Sequence, residues 1–177
     1  MKKLIMCEGT NELAIMNILL KNNMLCFGED DLLGLTPYHA RQIAKSGQVK
    51  AELNQYMGQV EILRIGDKQS DVLKIPKEYK DMVVSVKKYC TKPELEILLI
   101  IAEAKYSDYL KVKTTISPKD YAKSNIKYNG IRYDNSTKFF EDYFGSRPQE
   151  LYKAIKEYYQ KNKSHKKDEG YLAELLK

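Results

Sequence analysis

Three times in this chain, carboxylates stand at the end of an apolar segment, and no other feature bears so directly on its chemistry. Leu4-Ile5-Met6-Cys7 runs into Glu8-Gly9, with Glu12 four residues on. Val60-Glu61-Ile62-Leu63-Arg64-Ile65 runs into Gly66-Asp67, with Asp71 beyond, and Glu94 and Glu96 open the apolar run that ends near Ala102. Hard divalent cations take oxygen ligands, and Mg²⁺ commonly uses one or two carboxylates and completes its shell with water and substrate phosphate. Converging carboxylates would hold a cation that activates water and neutralises a phosphodiester in its transition state. Without a cation they would raise one another's pKa. Each acid also has a plainer use: Asp67 as a turn residue, Asp71 as a cap, Glu94 as a first-turn acid favoured by the helix dipole. Glu96 is harder to dismiss, because an unpaired carboxylate beside Ile97, Leu98 and Leu99 would be costly to bury.

The elements that would position these groups follow from periodicity. Residues 3–7 read as a buried strand, and 11–22 as a helix with Leu13, Met16 and Leu20 on one face. Residues 24–35 read as a second extended segment split by Gly28 and Gly34. Thr36-Pro37 reads as the start of a helix toward Tyr56, bent near Gly47. Val60 to Ile65 is the second clear strand. Asp71 to Lys74 reads as extended, Pro76 as a helix start, and Val83-Val84 as the end of that helix or a strand. Thr91-Lys92-Pro93 caps a helix from Glu94 to about Tyr109, followed by helices at 118–125, 135–144 and 148–162. Lys161 to Lys167 is a basic linker, and 171–176 a terminal turn or docking segment. Strands alternating with helices predict an α/β fold, a small parallel sheet with flanking helices, followed by a mainly helical C-terminal part. In such sheets ligands bind at the carboxyl ends of the strands, where Glu8 and Asp67 fall. The expected division is an α/β core over 1–105 and a basic, tyrosine-rich helical extension over 106–177.

Composition sets the class. The 177 residues are 43% hydrophobic and 31% charged, which suits a globular chain with a real core. No apolar run is long enough to span a bilayer, and only four apolar residues separate Lys3 from Glu8, so neither a membrane segment nor a secretory leader is expected. Cys7, Cys26 and Cys90 form no CxxC pair and lie far from His39 and His165, which argues against zinc and against a disulfide framework. Cys7 reads as a buried strand residue. A cytoplasmic location is the expectation. The net charge of +6 is uneven: residues 1–104 balance 14 basic against 14 acidic side chains, whereas 105–177 carry 16 against 10 and ten of the fourteen tyrosines. Cations interleaved with aromatics suit a surface that tracks phosphates and stacks bases, and equally an ordinary Lys/Tyr-rich surface. No Walker loop, GxGxxG or GxSxG is present.

Ile5-Met6-Cys7-Glu8-Gly9-Thr10-Asn11-Glu12 resembles the first motif of the TOPRIM superfamily, a strand ending in Glu-Gly with an acid four positions on. Val60 to Asp67 resembles the later TOPRIM strand that ends in an acidic pair. Thr91-Lys92-Pro93-Glu94-Leu95-Glu96 is similar to the Asn-Pro-x-Phe-Glu-Leu segment of RloB-like TOPRIM proteins. The family's Asp-x-Asp is here Asp67-Lys68-Gln69, leaving Asp71 as the substitute second acid. Lys92 and Leu95 replace the Asn and Phe. The resemblance covers residues 1–105. It implies a TOPRIM/Rossmann-like fold and Mg²⁺- or Mn²⁺-dependent strand cleavage. Glu8 would be base or ligand, Asp67 and Asp71 ligands, and Glu12 and Glu96 supporting carboxylates. The RloB-like and OLD-like branches are associated with phage defence. Two readings lead: a nuclease acting on nucleic-acid phosphodiesters, or a non-catalytic binding or interaction module that has lost its metal site, as Gln69 would suggest. A third reading is a regulatory subunit working beside a separate ATPase, since this chain has no NTP-binding loop of its own. The nucleic-acid-binding residues cannot be named from the sequence.

Overall fold

The computed structural model describes residues 1–67, 72–91, 94–162 and 170–177. Its centre is a five-stranded, all-parallel sheet whose strands lie side by side in the order Tyr38–His39 (β2), Lys2–Cys7 (β1), Val60–Gly66 (β3), Val83–Cys90 (β4) and Gly170–Tyr171 (β7). Strand β1 (Lys2–Cys7) pairs along its whole length with β3 (Val60–Gly66), from Lys2 opposite Val60 to Cys7 opposite Ile65. β4 (Val83–Cys90) flanks β3 with a bulge between Val60 and Glu61. The expected strands at 3–7 and 60–65 are therefore neighbours, and Val83-Val84 opens a strand. The sheet borrows one strand from outside the first 105 residues: β7 (Gly170–Tyr171) runs beside Tyr89 and Cys90.

Alternation on these strands builds two cores. Leu4 and Met6 of β1 and Ile62 of β3 face Val49 and Leu53 of helix α2 (Gly47–Gln55). Ile5, Cys7, Leu63 and Ile65 face the larger cluster, built with α1 (Thr10–Lys21), α3 (Glu96–Ala102), α5 (Pro118–Asn125), α6 (Thr137–Gly145) and α7 (Pro148–Lys161). That cluster is continuous across residue 105: α6 packs on α1, and α7 on α3. Leu176 bridges to Leu25, so the C-terminal segment docks beside the end of α1. Most of the C-terminal tyrosines serve this core. Tyr106, Tyr109, Tyr121, Tyr133 and Tyr143 are all buried, and so offer no stacking platform.

Several local expectations are corrected. No helix starts at Thr36-Pro37. Tyr38–His39 forms the edge strand β2, Ser46 caps α2 by accepting the Val49 N–H at 3.3 Å, and His39 is exposed at a strand end. Residues 24–35 hold two single 3₁₀ turns and two isolated bridges, not a strand, and Pro76 precedes only the turn Lys77–Tyr79. The long helix from Glu94 divides at Ala104, whose φ of 55° is left-handed. The N–H groups of Ala104 and Lys105 return to Ile101 and Ile100, a Schellman stop with alanine where glycine is usual. The turn starts α4 (Tyr106–Val112) with Tyr106 buried. Asp71 and the linker residues 163–167 lie outside the described residues. Among those described, no helix is long and apolar enough to cross a membrane.

Candidate acidic cleft at the carboxyl edge of the sheet

A cleft of about 330 Å³ opens at the carboxyl ends of β1, β3 and β4, and Glu12, Asp67, Glu94 and Glu96 all line it. The first turns of α1, α3, α5 and α6 converge there, contributing Thr10, Glu96, Lys119 and Thr137. Lys119 is the single cation among the described lining residues.

Glu12 enters through the tight turn after β1. The Glu8 N–H donates to Ile65 C=O at 2.9 Å, extending the strand pairing by one residue, and Gly9 then caps α1. A Cβ at position 9 would displace the Glu12 carboxylate that folds back over it. The Thr91 hydroxyl donates to Glu12 Oε1 at 3.4 Å. Burial pushes the Glu12 carboxyl above the usual carboxylate range, and the neighbouring charges of Asp67 and Glu8 push it the same way. Its own backbone N–H and Thr91 partly offset this. Glu94 is raised too, first by burial and then by Glu96, although its Oε2 accepts the Lys119 N–H at 2.9 Å. Glu96, 5% exposed, accepts a 2.6 Å hydrogen bond from the Tyr133 hydroxyl, which relieves the expected cost of burying it. Burial and that carboxylate push the Tyr133 phenol far up.

Glu8 behaves differently. Continuing the alternation of Leu4 and Met6, it falls on the α2 side of the sheet, where Arg64 Nη2 donates to its Oε1 at 3.1 Å. The side chain lies against Gly66, where any Cβ would overlap it. Arg64 also donates to the Arg41 carbonyl at 3.4 Å, and Arg41 Nε donates to the Glu8 carbonyl at 3.1 Å, closing a ring of contacts around the turn. Glu8 is not among the cleft-lining residues, so it and Asp67 end adjacent strands with their carboxylates differently engaged. Its charge still reaches Glu12. Sequence reasoning treated Arg64 as one more strand residue. The signal was available, since an arginine inside an otherwise apolar central strand needs an anion on its own face.

Among the described residues, no group of three or more histidine, cysteine or acidic side chains is placed to hold a metal ion. The donor set that remains, Glu12 and Asp67, fits a water-rich hard cation of the Mg²⁺ type, which needs only one or two carboxylates, and does not fit an all-protein cage. The burial-raised Cys7 thiol is inert strand packing. No family model, curated protein or solved structure matches the chain.

Proposed function

We propose that this protein is a TOPRIM-like, metal-dependent hydrolase of nucleic-acid phosphodiesters, with Glu12 and Asp67 as its working carboxylates. The observation that carries the reading is the placement of these two acids in one cleft at the carboxyl edge of a parallel sheet. Glu12 and Asp67 would hold Mg²⁺ or Mn²⁺. When bound, such a cation withdraws charge from a phosphodiester and acidifies water. The chain's own groups supply the rest. Burial and the charge of Asp67 disfavour the ionised Glu12 carboxylate, a cost that a bound cation would relieve. Lys119 and Asn11 offer donors to a bound phosphate. Tyr133 holds Glu96 in place. Glu8 supports the turn through Arg64 and is not the base itself. A role in phage defence belongs to the same proposal and rests on the resemblance alone; a cytoplasmic setting rests on the sequence reading, and a separate ATPase partner goes with the non-catalytic reading.

The test is turnover of single-stranded and duplex DNA and RNA with Mg²⁺ or Mn²⁺. Glu12→Gln and Asp67→Asn should each cut the rate by about 10²–10⁴-fold while the protein still unfolds in one cooperative transition. A second reading, a binding module without catalysis, is favoured by the Glu8–Arg64 pair, because the carboxylate that resembles the family's base is already neutralised. Binding without turnover of any of these substrates would decide for it.

A further inference from the structure

Strands β5 (Lys127–Tyr128) and β6 (Ile131–Arg132) form a two-residue hairpin whose turn, Asn129-Gly130, has φ of 48° and 80°. Two left-handed residues make this a type I′ turn, which fixes the register. Lys127 therefore stands directly opposite Arg132, and Tyr128 opposite Ile131. The Tyr133 N–H closes the base of the hairpin on the Ile126 carbonyl at 3.0 Å.

The two faces differ. On the inner face, the Tyr128 ring meets Tyr143 edge-on at 5.3 Å, lies 4.7 Å from the Arg147 guanidinium carbon and hydrogen-bonds Ser146 at 2.7 Å, so the hairpin is fastened to α6 and the turn after it. The outer face carries Lys127 and Arg132, both exposed, and neither forms an ion pair with any described residue. The nearby carboxylates are committed elsewhere: Asp134 accepts the Ser136 N–H at 2.9 Å, and Asp142 pairs with Lys138 at 2.8 Å. Like charges directly opposite destabilise a strand pair, and a two-stranded hairpin has little stability to spare. A polyanion lying across the hairpin would remove that repulsion. Ile131 adds exposed apolar surface beside the turn. The chain leads from Arg132 straight into the acidic cleft, through Tyr133, which holds Glu96, and Asn135, which lines the wall.

We propose that the β5–β6 hairpin is a backbone clamp for nucleic acid, with Lys127 and Arg132 contacting successive phosphates on the approach to the cleft. The inference rests on the nucleic-acid reading of the cleft and names the element that binds the substrate. A two-stranded ribbon is also narrow enough to enter a duplex major groove.

The experiment is fluorescence anisotropy on the full-length protein with labelled single-stranded and duplex DNA and RNA oligonucleotides of mixed sequence, across a salt series. Lys127→Gln/Arg132→Gln should weaken binding about tenfold or more. Two lost phosphate contacts should also flatten the log–log salt dependence by about 1.4 for a single strand or about 1.8 for a duplex. Arg132→Lys should retain most of the affinity. Lys153→Gln/Lys161→Gln on α7, which removes the same net charge, should change little. The Tm of the double hairpin variant should not fall, since a like-charge opposition has been removed. Equal affinity and slope in wild type and hairpin variant, or an equal loss in the α7 control, overturns the clamp and leaves the nucleic-acid reading standing. Failure of the wild type to bind any of these oligonucleotides at low salt overturns that reading and the clamp with it.

Discussion

Arg64 and Glu8 meet at 3.1 Å beneath the first turn of the cleft, and at 2% and 6% exposure both charges are effectively inside the protein. A buried ion pair contributes little net stability relative to a well-packed apolar pair, but breaking it strands a charge. The pair thus holds the turn that delivers Glu12 in a single arrangement.

Arg64→Met should therefore destabilise the protein by about 3–5 kcal/mol, measured by urea unfolding. Glu8→Leu/Arg64→Met should be closer to wild type than either single substitution, because no charge is left unpaired. Simply additive losses would show that the two side chains do not depend on each other.

Gly66→Ala should be costly for a related reason. Its Cβ would enter the space of the buried Glu8 carboxyl, and overpacking of this kind costs about 1–3 kcal/mol. Gly28→Ala is the contrast: nothing lies within reach of a Cβ there, and its stability should change by no more than about 0.5 kcal/mol. Equal midpoints for the two variants would contradict the packing described for Gly66.

The central strands and most helices were legible because their signals are local. Leu4 to Cys7 is an unbroken apolar run, Val60 to Ile65 is apolar except for Glu61 and Arg64, and Ser117-Pro118 opens a helix by capping chemistry alone. The errors came where tertiary pairing overrides local preference. Tyr38–His39 is a strand only because Cys7 offers it a free edge, and Gly170–Tyr171 only because β4 does. In the site, position in the chain places Glu8 and Asp67 at the sheet edge, yet does not tell which face of the sheet each carboxylate takes. Strand alternation sets the face of Glu8, and Arg64 on the same face pairs with it there. The ten C-terminal tyrosines misled in the opposite direction: their number suggested a surface, whereas packing against α1 and α3 claimed most of them.

The raised Glu12 carboxyl sets a pH signature. A folded glutamate with a raised pKa binds its proton more tightly than in the unfolded chain, where the value is about 4.3. Stability is then greatest below the unfolded value and is lost as pH rises through the folded one. Glu94 contributes in the same sense. Glu12→Gln should remove part of this decline, so that its stability relative to wild type grows with pH across the weakly acidic range. Urea unfolding at a series of pH values tests it, and a constant difference between the two proteins would refute the assignment. Asp67→Asn should also flatten the profile, because it removes one of the charges that raises Glu12.

The same coupling makes a metal test that needs no substrate. A cation bound between Glu12 and Asp67 relieves their repulsion and binds only the folded chain, so it should raise the Tm. At a concentration about one hundred times its Kd the stabilisation is about 2.7 kcal/mol. For a chain of this size that corresponds to roughly 5–11 °C. Mn²⁺ and Mg²⁺ should both produce the shift in wild type, and Na⁺ at matched ionic strength should not. Glu12→Gln and Asp67→Asn should each abolish most of it, even though Glu12→Gln alone raises the metal-free baseline near neutral pH. An increment that survives Glu12→Gln and Asp67→Asn would locate the cation elsewhere and remove the cleft's claim to hydrolytic chemistry.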